Sequence, residues 1–219
     1  MRQTLRTVSF LHWPVAPAAV AHLFPVGCEP DVLGGHTYLG LVGLRVTAAG
    51  LRRGGRMVGF GQVNVRLYSR DGQGRQGVVF LSLDVDRPDV ALAGRLSTGL
   101  PFRWSRVDVA DGGLAVRCRR RWPALGTVTR WLLEVGAPVL DPSPSDIFLT
   151  ARWGLHAARL GSTWWLPISH EPWRLYRAEP RVWHDELAAA AGVPVPVGTP
   201  PSALWSPVTH ARLGRPVRL

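Results

Sequence analysis

The chain of 219 residues contains no lysine, so all 26 of its basic side chains are arginine. That absence excludes every mechanism built on a lysine amine. A Schiff base, a P-loop lysine and a pyridoxal anchor each need an amine that can lose its proton near neutral pH, which a guanidinium does not do. Cysteine is almost as scarce: Cys28 and Cys118 stand far apart, outside any CxxC or Cys/His spacing. No zinc site is expected from them, and one distant pair is weak support for an oxidising compartment, so both read as buried thiols. Long apolar runs are missing too. Arg2 and Arg6 precede an uncharged stretch over residues 7–28 that mimics a signal peptide, but His12, Pro14, Pro17, His22 and Pro25 interrupt it. The stretch fits neither a continuous signal core nor a membrane span of about 20 apolar residues, and a soluble, cytoplasmic protein is expected.

What is present suffices for one good core. The composition is 46% hydrophobic and 19% charged with ten tryptophans, which argues against disorder and for a single domain over residues 1–219. The formal charge of +11 is a weaker signal. Arginine-only basicity beside abundant Ala, Gly, Pro and Val is what compositional drift in a GC-rich genome produces, and net charge speaks to association rather than fold.

Periodicity predicts a β-rich chain. After a short helix at 18–24, a strand is expected over 37–46, punctuated by Gly40 and Gly43, where a bend or a close approach belongs. In GQVNVRLYSR, Gln62, Asn64, Arg66 and Tyr68 alternate with Val63, Val65 and Leu67, the period of two that separates two faces. A glycine-rich turn leads to a second strand over 78–86, making a hairpin. If polar residues face polar ones, the opposed positions sum to about 150, with Arg66 across from Asp84 and Asn64 from Asp86. A helix is expected over 89–97 and a second hairpin over 102–110 and 114–122 around Asp111, Gly112 and Gly113. Residues 136–145 read as an ordered loop, 146–151 as a short helix, 155–159, 163–169 and 173–177 as strands, 182–191 as a helix and 208–213 as a last strand.

No GxSxG, HExxH or Walker motif occurs. Gly72, Gly74 and Gly77 satisfy GxGxxG formally, but here strand leads to strand rather than to a helix N-terminus, so the glycines make a hairpin loop. His170, beside Glu171 and Trp173, stands out among seven scattered histidines as a candidate proton-transfer group, although a lone histidine is a weak site signal and a hydrogen-bonded structural histidine is the simpler reading. The run Arg119, Arg120, Arg121 between Trp104 and Trp122 resembles a nucleic-acid patch, yet a strand sends alternate residues to opposite faces and splits it, leaving a solvated edge against aromatic packing. The stripe Gln62, Asn64, Arg66, Tyr68 is either an ordinary wet face of a sheet or, if the sheet closes, the lining of a lumen with an arginine for an anion.

Five segments carry a family resemblance: His12-Trp13, the hairpin GQVNVRLYSRDGQGRQGVVFLSLDVDR, GRLSTGLPFRW after Ala93, FLTARWGLH and HEPWRLYRAEP. In this order they resemble the YqjF-like family of uncharacterised conserved proteins, domain of unknown function 2071, across nearly the whole chain. That family is similar in fold to acetoacetate decarboxylase. The resemblance implies an α+β, mainly antiparallel fold with curved sheets forming a cone-like β-barrel around a polar cavity, and a few peripheral helices. Members usually carry glutamate where this chain has Gln62, which speaks against an acid role there. The decarboxylase works through a Schiff-base lysine, which this chain lacks, so that activity does not carry over.

The expected function is therefore binding of a small anionic or carbonyl-bearing molecule in a lumen, with Arg66 and Arg152 as carboxylate clamps. Gln62, Asn64, Tyr68, Asp84, His170 and Trp173 complete the expected ligand set, with His170 as the candidate catalytic residue. A lysine-free acid/base enzyme of lyase or hydrolase type on a small carboxylate is the alternative, drawing on His170, Glu171, Asp84 and Asp86; a basic nucleic-acid module ranks below it. No cofactor, metal or membrane partner is expected, and self-association into a homo-oligomer is left open.

Overall fold

The computed structural model describes residues 2–53, 56–194 and 198–219. Thirteen strands and four short helices follow in the order β1 (Arg2–Val15), α1 (Pro17–Val20), β2 (Cys28–Pro30), β3 (Thr37–Arg53), β4 (Arg56–Asp71), β5 (Gln76–Val85), α2 (Pro88–Thr98), β6 (Phe102–Ala110), β7 (Ala115–Trp122), β8 (Val128–Pro138), α3 (Pro144–Thr150), β9 (Gly154–Arg159), β10 (Ser162–His170), β11 (Tyr176–Asp185), α4 (Leu187–Ala190), β12 (Ser202–Leu213) and β13 (Val217–Arg218). Among the described residues no helix is long and apolar enough to cross a membrane.

The strands form one sheet ordered β13-β10-β9-β5-β6-β7-β8-β11-β12-β1-β3-β4-β2, and two further pairings, β4–β5 and β10–β12, close it on itself. Hydrogen bonds thereby trace two rings. The larger runs through β5, β6, β7, β8 and β11; the smaller runs through β5, β9 and β10; both are completed by β12, β1, β3 and β4. Closure removes most free edges. Pairing is antiparallel except where β5 meets β6 and β9.

Through its middle the shared wall has no solvent face, because each of its sides fills a ring. Leu11, Trp13, Leu41, Val63 and Val65 pack with Val107, Val116 and Trp131 inside the larger ring. On the opposite side Phe10, Val42, Leu44 and Phe60 form a second cluster, and Tyr68, Leu83, Leu149 and Leu155 a third, inside the smaller one. Gly40 and Gly43 are the close approaches read from the sequence: a methyl at Gly43 would stand 2.6 Å from the Trp131 ring, and one at Gly40 would stand 3.1 Å from the Arg66 side chain.

Two buried faces also explain the corrected hairpin register. Val63 opposes Asp84, Asn64 opposes Leu83 and Val65 opposes Ser82; a bulge then shifts the ladder so that Arg66 opposes Phe80. Opposed numbers sum to 147 and then to 146, and Arg66 and Asp84 point into different rings. The expectation that polar meets polar fails because neither face of this hairpin meets water. Other corrections are local. Residues 182–185 continue β11 and leave only Leu187–Ala190 helical; β11 begins at Tyr176, and β12 begins at Ser202 despite its prolines. β1 and β8 were not foreseen as strands. Both cysteines are free, Cys118 buried and Cys28 half-buried.

Candidate functional site

β4 delivers Asn64, Arg66 and Tyr68 by alternation into the smaller ring, and β1 delivers Phe10 and His12 beside them. The rings converge closely. Arg66 lies 5.6 Å over Phe10 and 5.5 Å over Tyr68, and the centroid of His12 is 6.1 Å from each of those rings. A methyl on Gly40 would stand 3.2 Å from Arg66 Nε and 3.4 Å from His12 Cδ2, so arginine and imidazole meet over a bare stretch of backbone.

Several polar atoms in this cluster have no partner. Among the described residues neither ring nitrogen of His12 is hydrogen-bonded, nor are Asn64 Oδ1 and Arg66 Nε. Orphaned buried polar atoms carry a desolvation cost that folded proteins rarely leave standing without a functional reason. Arg66 has no carboxylate partner either, because Asp146, the nearest acid of the cap, is held by a fork from Arg177 at 2.6 and 2.7 Å.

The cap is α3. Its start is fixed by Pro144 and by a capping box in which Ser143 and Asp146 satisfy each other's backbone N–H groups. Its last carbonyls turn toward the lumen. Leu149 accepts from Tyr68 OH at 2.7 Å and from Arg66 Nη2 at 3.2 Å, Phe148 accepts from Arg152 Nε at 2.7 Å, and Thr150 accepts from Trp173 Nε1 at 3.0 Å. These groups are the negative end of the helix. They occupy part of the arginine fork, while Arg66 Nε has no partner among the described residues.

The expected residues divide three ways. Asn64, Arg66 and Tyr68 gather in the lumen, Gln62 continues the same face half-buried, and Trp173 seals it with an edge contact to Phe10 at 5.2 Å. Arg152 stacks 4.9 Å over Tyr68 and pairs with Asp31, keeping one unpartnered Nη2. Asp84 belongs to the other ring. His170 lies outside the lumen: it stacks on Trp153 at 4.8 Å, meets the far side of Trp173 at 5.2 Å, and lines an open cleft of about 590 Å³ with Arg2, His210 and Arg212. His12 is the lumen residue that sequence reasoning passed over as an interruption in an apolar stretch. A histidine followed by tryptophan, with no acid nearby, was the available signal.

Burial pushes the His12 imidazole well below its ordinary range, and the Arg66 charge adds to that; Asp146 opposes it. A second buried histidine has a hydrolase-like arrangement, with His156 Nδ1 2.8 Å from Ser69 Oγ and Nε2 3.2 Å from Asp71 Oδ2. Ser69 and His156 are both 0% exposed, so the hydroxyl has no route to a substrate and the relay is structural. Burial raises the Asp71 carboxyl, but hydrogen bonds from Arg75, His156 and Gln73 outweigh it and bring it down to about 2. Burial likewise lowers His156 against the pull of Asp71. Among the described residues no group of His, Cys, Asp or Glu gathers as a metal would need.

Burial lowers both histidines in the folded protein, so below about pH 6.5 the unfolded state binds more protons and stability falls as pH drops through that value. Each contributes a slope on the order of 1 kcal/mol per pH unit. Burial raises the carboxyls of Asp86 and Asp185, which act oppositely at lower pH, so the histidine effect is read between about pH 7 and 5.5. Urea midpoints are expected to decline across that window; a flat profile would mean that both rings titrate in the folded protein as they do in the unfolded chain.

Comparison with known proteins agrees with this architecture. The family model for an uncharacterised conserved protein, domain of unknown function 2071, matches residues 2–210. The uncharacterised protein YqjF of Bacillus subtilis is 27% identical over 208 residues, covering 91% of this chain and 85% of the relative. Among solved structures, acetoacetate decarboxylase from Legionella pneumophila superposes with a TM-score of 0.69 at 10% identity, covering 100% of this chain and 86% of that one. The enduracididine biosynthesis enzyme MppR complexed with pyruvate gives a TM-score of 0.66 at 14% identity, covering 99% and 89%. The double ring is thus the acetoacetate decarboxylase-like fold, and the chain belongs to the YqjF-like family of uncharacterised conserved proteins.

Proposed function

We propose that the smaller ring binds a small carboxylate, with Arg66 as its anchor. The observation that carries this reading is a lumen arginine with no carboxylate partner and a free Nε, set beside unpartnered nitrogens of a fully buried histidine. Charge-assisted, bidentate pairing with a carboxylate is what such a fork does best. The Leu149 carbonyl then acts as a placeholder that an incoming oxyanion displaces, freeing the Arg66 Nη2 and Tyr68 hydroxyl donors it now accepts from, while Asn64 Oδ1 is placed to accept from a neighbouring hydroxyl. A 2-oxo acid suits the set, and pyruvate is the ligand named for the similarly folded MppR structure. Lysine is absent, so nothing here holds such a ligand covalently as an imine. If the ligand turns over, His12 rather than His170 is the proton carrier beside Arg66.

The test is calorimetric titration with pyruvate, 2-oxobutyrate and acetoacetate against wild type and Arg66→Gln. Losing a charged hydrogen-bonded contact is expected to weaken binding by about 2 kcal/mol, some thirtyfold, with the fold retained. Equal affinity in the variant would remove Arg66 from the site, and no heat with any of the three acids would refute the carboxylate reading.

A further inference from the structure

The arginine run that strand alternation splits is gathered again by the sheet. Arg120 turns inward, whereas Arg117, Arg119 and Arg121 stay exposed on β7. Pairing then adds arginines from both neighbours: Arg106 of β6 directly opposes Arg119, and Arg130 of β8 directly opposes Arg117. Acids share this face as well: Asp108 opposes Arg117, Glu134 stands farther along β8 and pairs with Arg181, and Glu186 accepts from the backbone N–H of Val128, which opposes Arg119. No ion pair among the described residues includes any of the five arginines. At one end Trp104 opposes Trp122, and the two indoles are 40% and 55% exposed.

Like charges set directly opposite each other weaken an antiparallel pair, and this face carries two such pairs side by side. Compositional drift accounts for the cations being arginines; it does not explain why five gather on three adjacent strands with none of them in an ion pair among the described residues. Along β7 the exposed arginines recur every second residue, about 7 Å apart, which makes the charge a stripe rather than a point. A striped cation array ending in exposed indoles is complementary to a linear polyanion with flat aromatic units, in which phosphates meet guanidiniums and bases stack on the rings. β6, β7 and β8 take no part in the smaller ring and these arginines are exposed on the outside, so this surface is separate from the Arg66 cluster.

We propose that the outer face of β6, β7 and β8 is a docking surface for single-stranded nucleic acid, held by Arg106, Arg117, Arg119 and Arg130 and stacked on Trp104 and Trp122. The test uses the full chain and a fluorescein-labelled oligothymidylate of about 12 nucleotides, within the site sizes such surfaces cover. Anisotropy is read from low to moderate salt. The expected result is saturable binding that weakens steeply with salt, each phosphate contact contributing about −0.7 to the log–log slope. The triple variant Arg106→Ser, Arg117→Ser, Arg119→Ser should flatten that slope by about 2. Trp122→Ala should weaken binding about tenfold at unchanged slope. The control Arg212→Ser, Arg215→Ser, Arg218→Ser removes the same charge elsewhere and should leave the slope nearly unaltered. The substituted arginines are exposed and stand in like-charge pairs, so the thermal midpoint of the arginine triple is not expected to fall. Equal losses in the face and control triples, tighter binding of a duplex of the same length, or no binding at low salt would each overturn the proposal.

Discussion

Asp84→Ala is expected to remove about 3–5 kcal/mol of stability, a large share of the 5–15 kcal/mol typical of a folded domain. Asp84 is fully buried in the larger ring and receives Arg120 Nε at 2.8 Å on one oxygen and Arg120 Nη2 at 2.9 Å on the other. Ser105 Oγ donates to it at 2.7 Å and Ser82 Oγ at 2.5 Å. Arg120 is itself 3% exposed, and removing the carboxylate leaves its guanidinium enclosed with only Ser82 Oγ, at 2.8 Å, as partner. The penalty comes from the stranded charge more than from the lost attraction. The double variant Asp84→Leu, Arg120→Met should therefore be less destabilised than Asp84→Ala alone. Chemical denaturation of wild type, Asp84→Ala, the single variants Asp84→Leu and Arg120→Met, and the double checks this; a double variant whose loss equals the sum of those two singles would show that the pair is not coupled.

Gly113→Ala is expected to be comparably damaging, for a steric reason. The turn between β6 and β7 lodges beneath the irregularity in β1, and a Cβ at Gly113 would fall 2.2 Å from the Thr7 carbonyl oxygen. Thr7 itself stands at φ 54°, and Gly113 at φ 90°, so neither backbone can yield without further strain. A loss of about 3 kcal/mol or more follows from clash plus conformation. Gly112 provides the matched comparison. It has φ 67° with open space where a Cβ would go, so Gly112→Ala isolates the conformational part, about 1–2 kcal/mol. Equal melting temperatures for the two variants would show that the turn moves freely away from Thr7.

The sequence exposed the parts of this fold in which one strand face differs from the other. β4 announced itself because Asn64, Arg66 and Tyr68 line one ring and Val63, Val65 and Leu67 fill the other. β1 did not, because Val8, Phe10 and His12 enter one ring while Ser9, Leu11 and Trp13 enter the other, so nearly every position is apolar and no period appears. The β4–β5 register was misjudged for the same reason, compounded by a bulge that no local signal marks. Of the lumen residues, Arg66 and Tyr68 were readable from alternation. His12 and the α3 carbonyls were not, since they reach the lumen through contacts between segments far apart in the chain. The arginine face was hidden differently: alternation along β7 was read correctly, but the contributions of Arg106 and Arg130 depend on which strands lie beside it.

The shared wall of the two rings also sets when this protein is able to fold. β1 needs β12 along its second edge, from Arg2 opposite Arg212 to His12 opposite Ser202, and both rings close through that contact. During synthesis the ribosome delivers these partners about two hundred residues apart. At the 5–20 residues per second of translation, β1 waits some ten seconds or longer with a bare hydrogen-bonding edge and two uncovered apolar faces. Until β12 emerges the growing chain thus presents a sticky ribbon, the kind of surface that holdase chaperones cover.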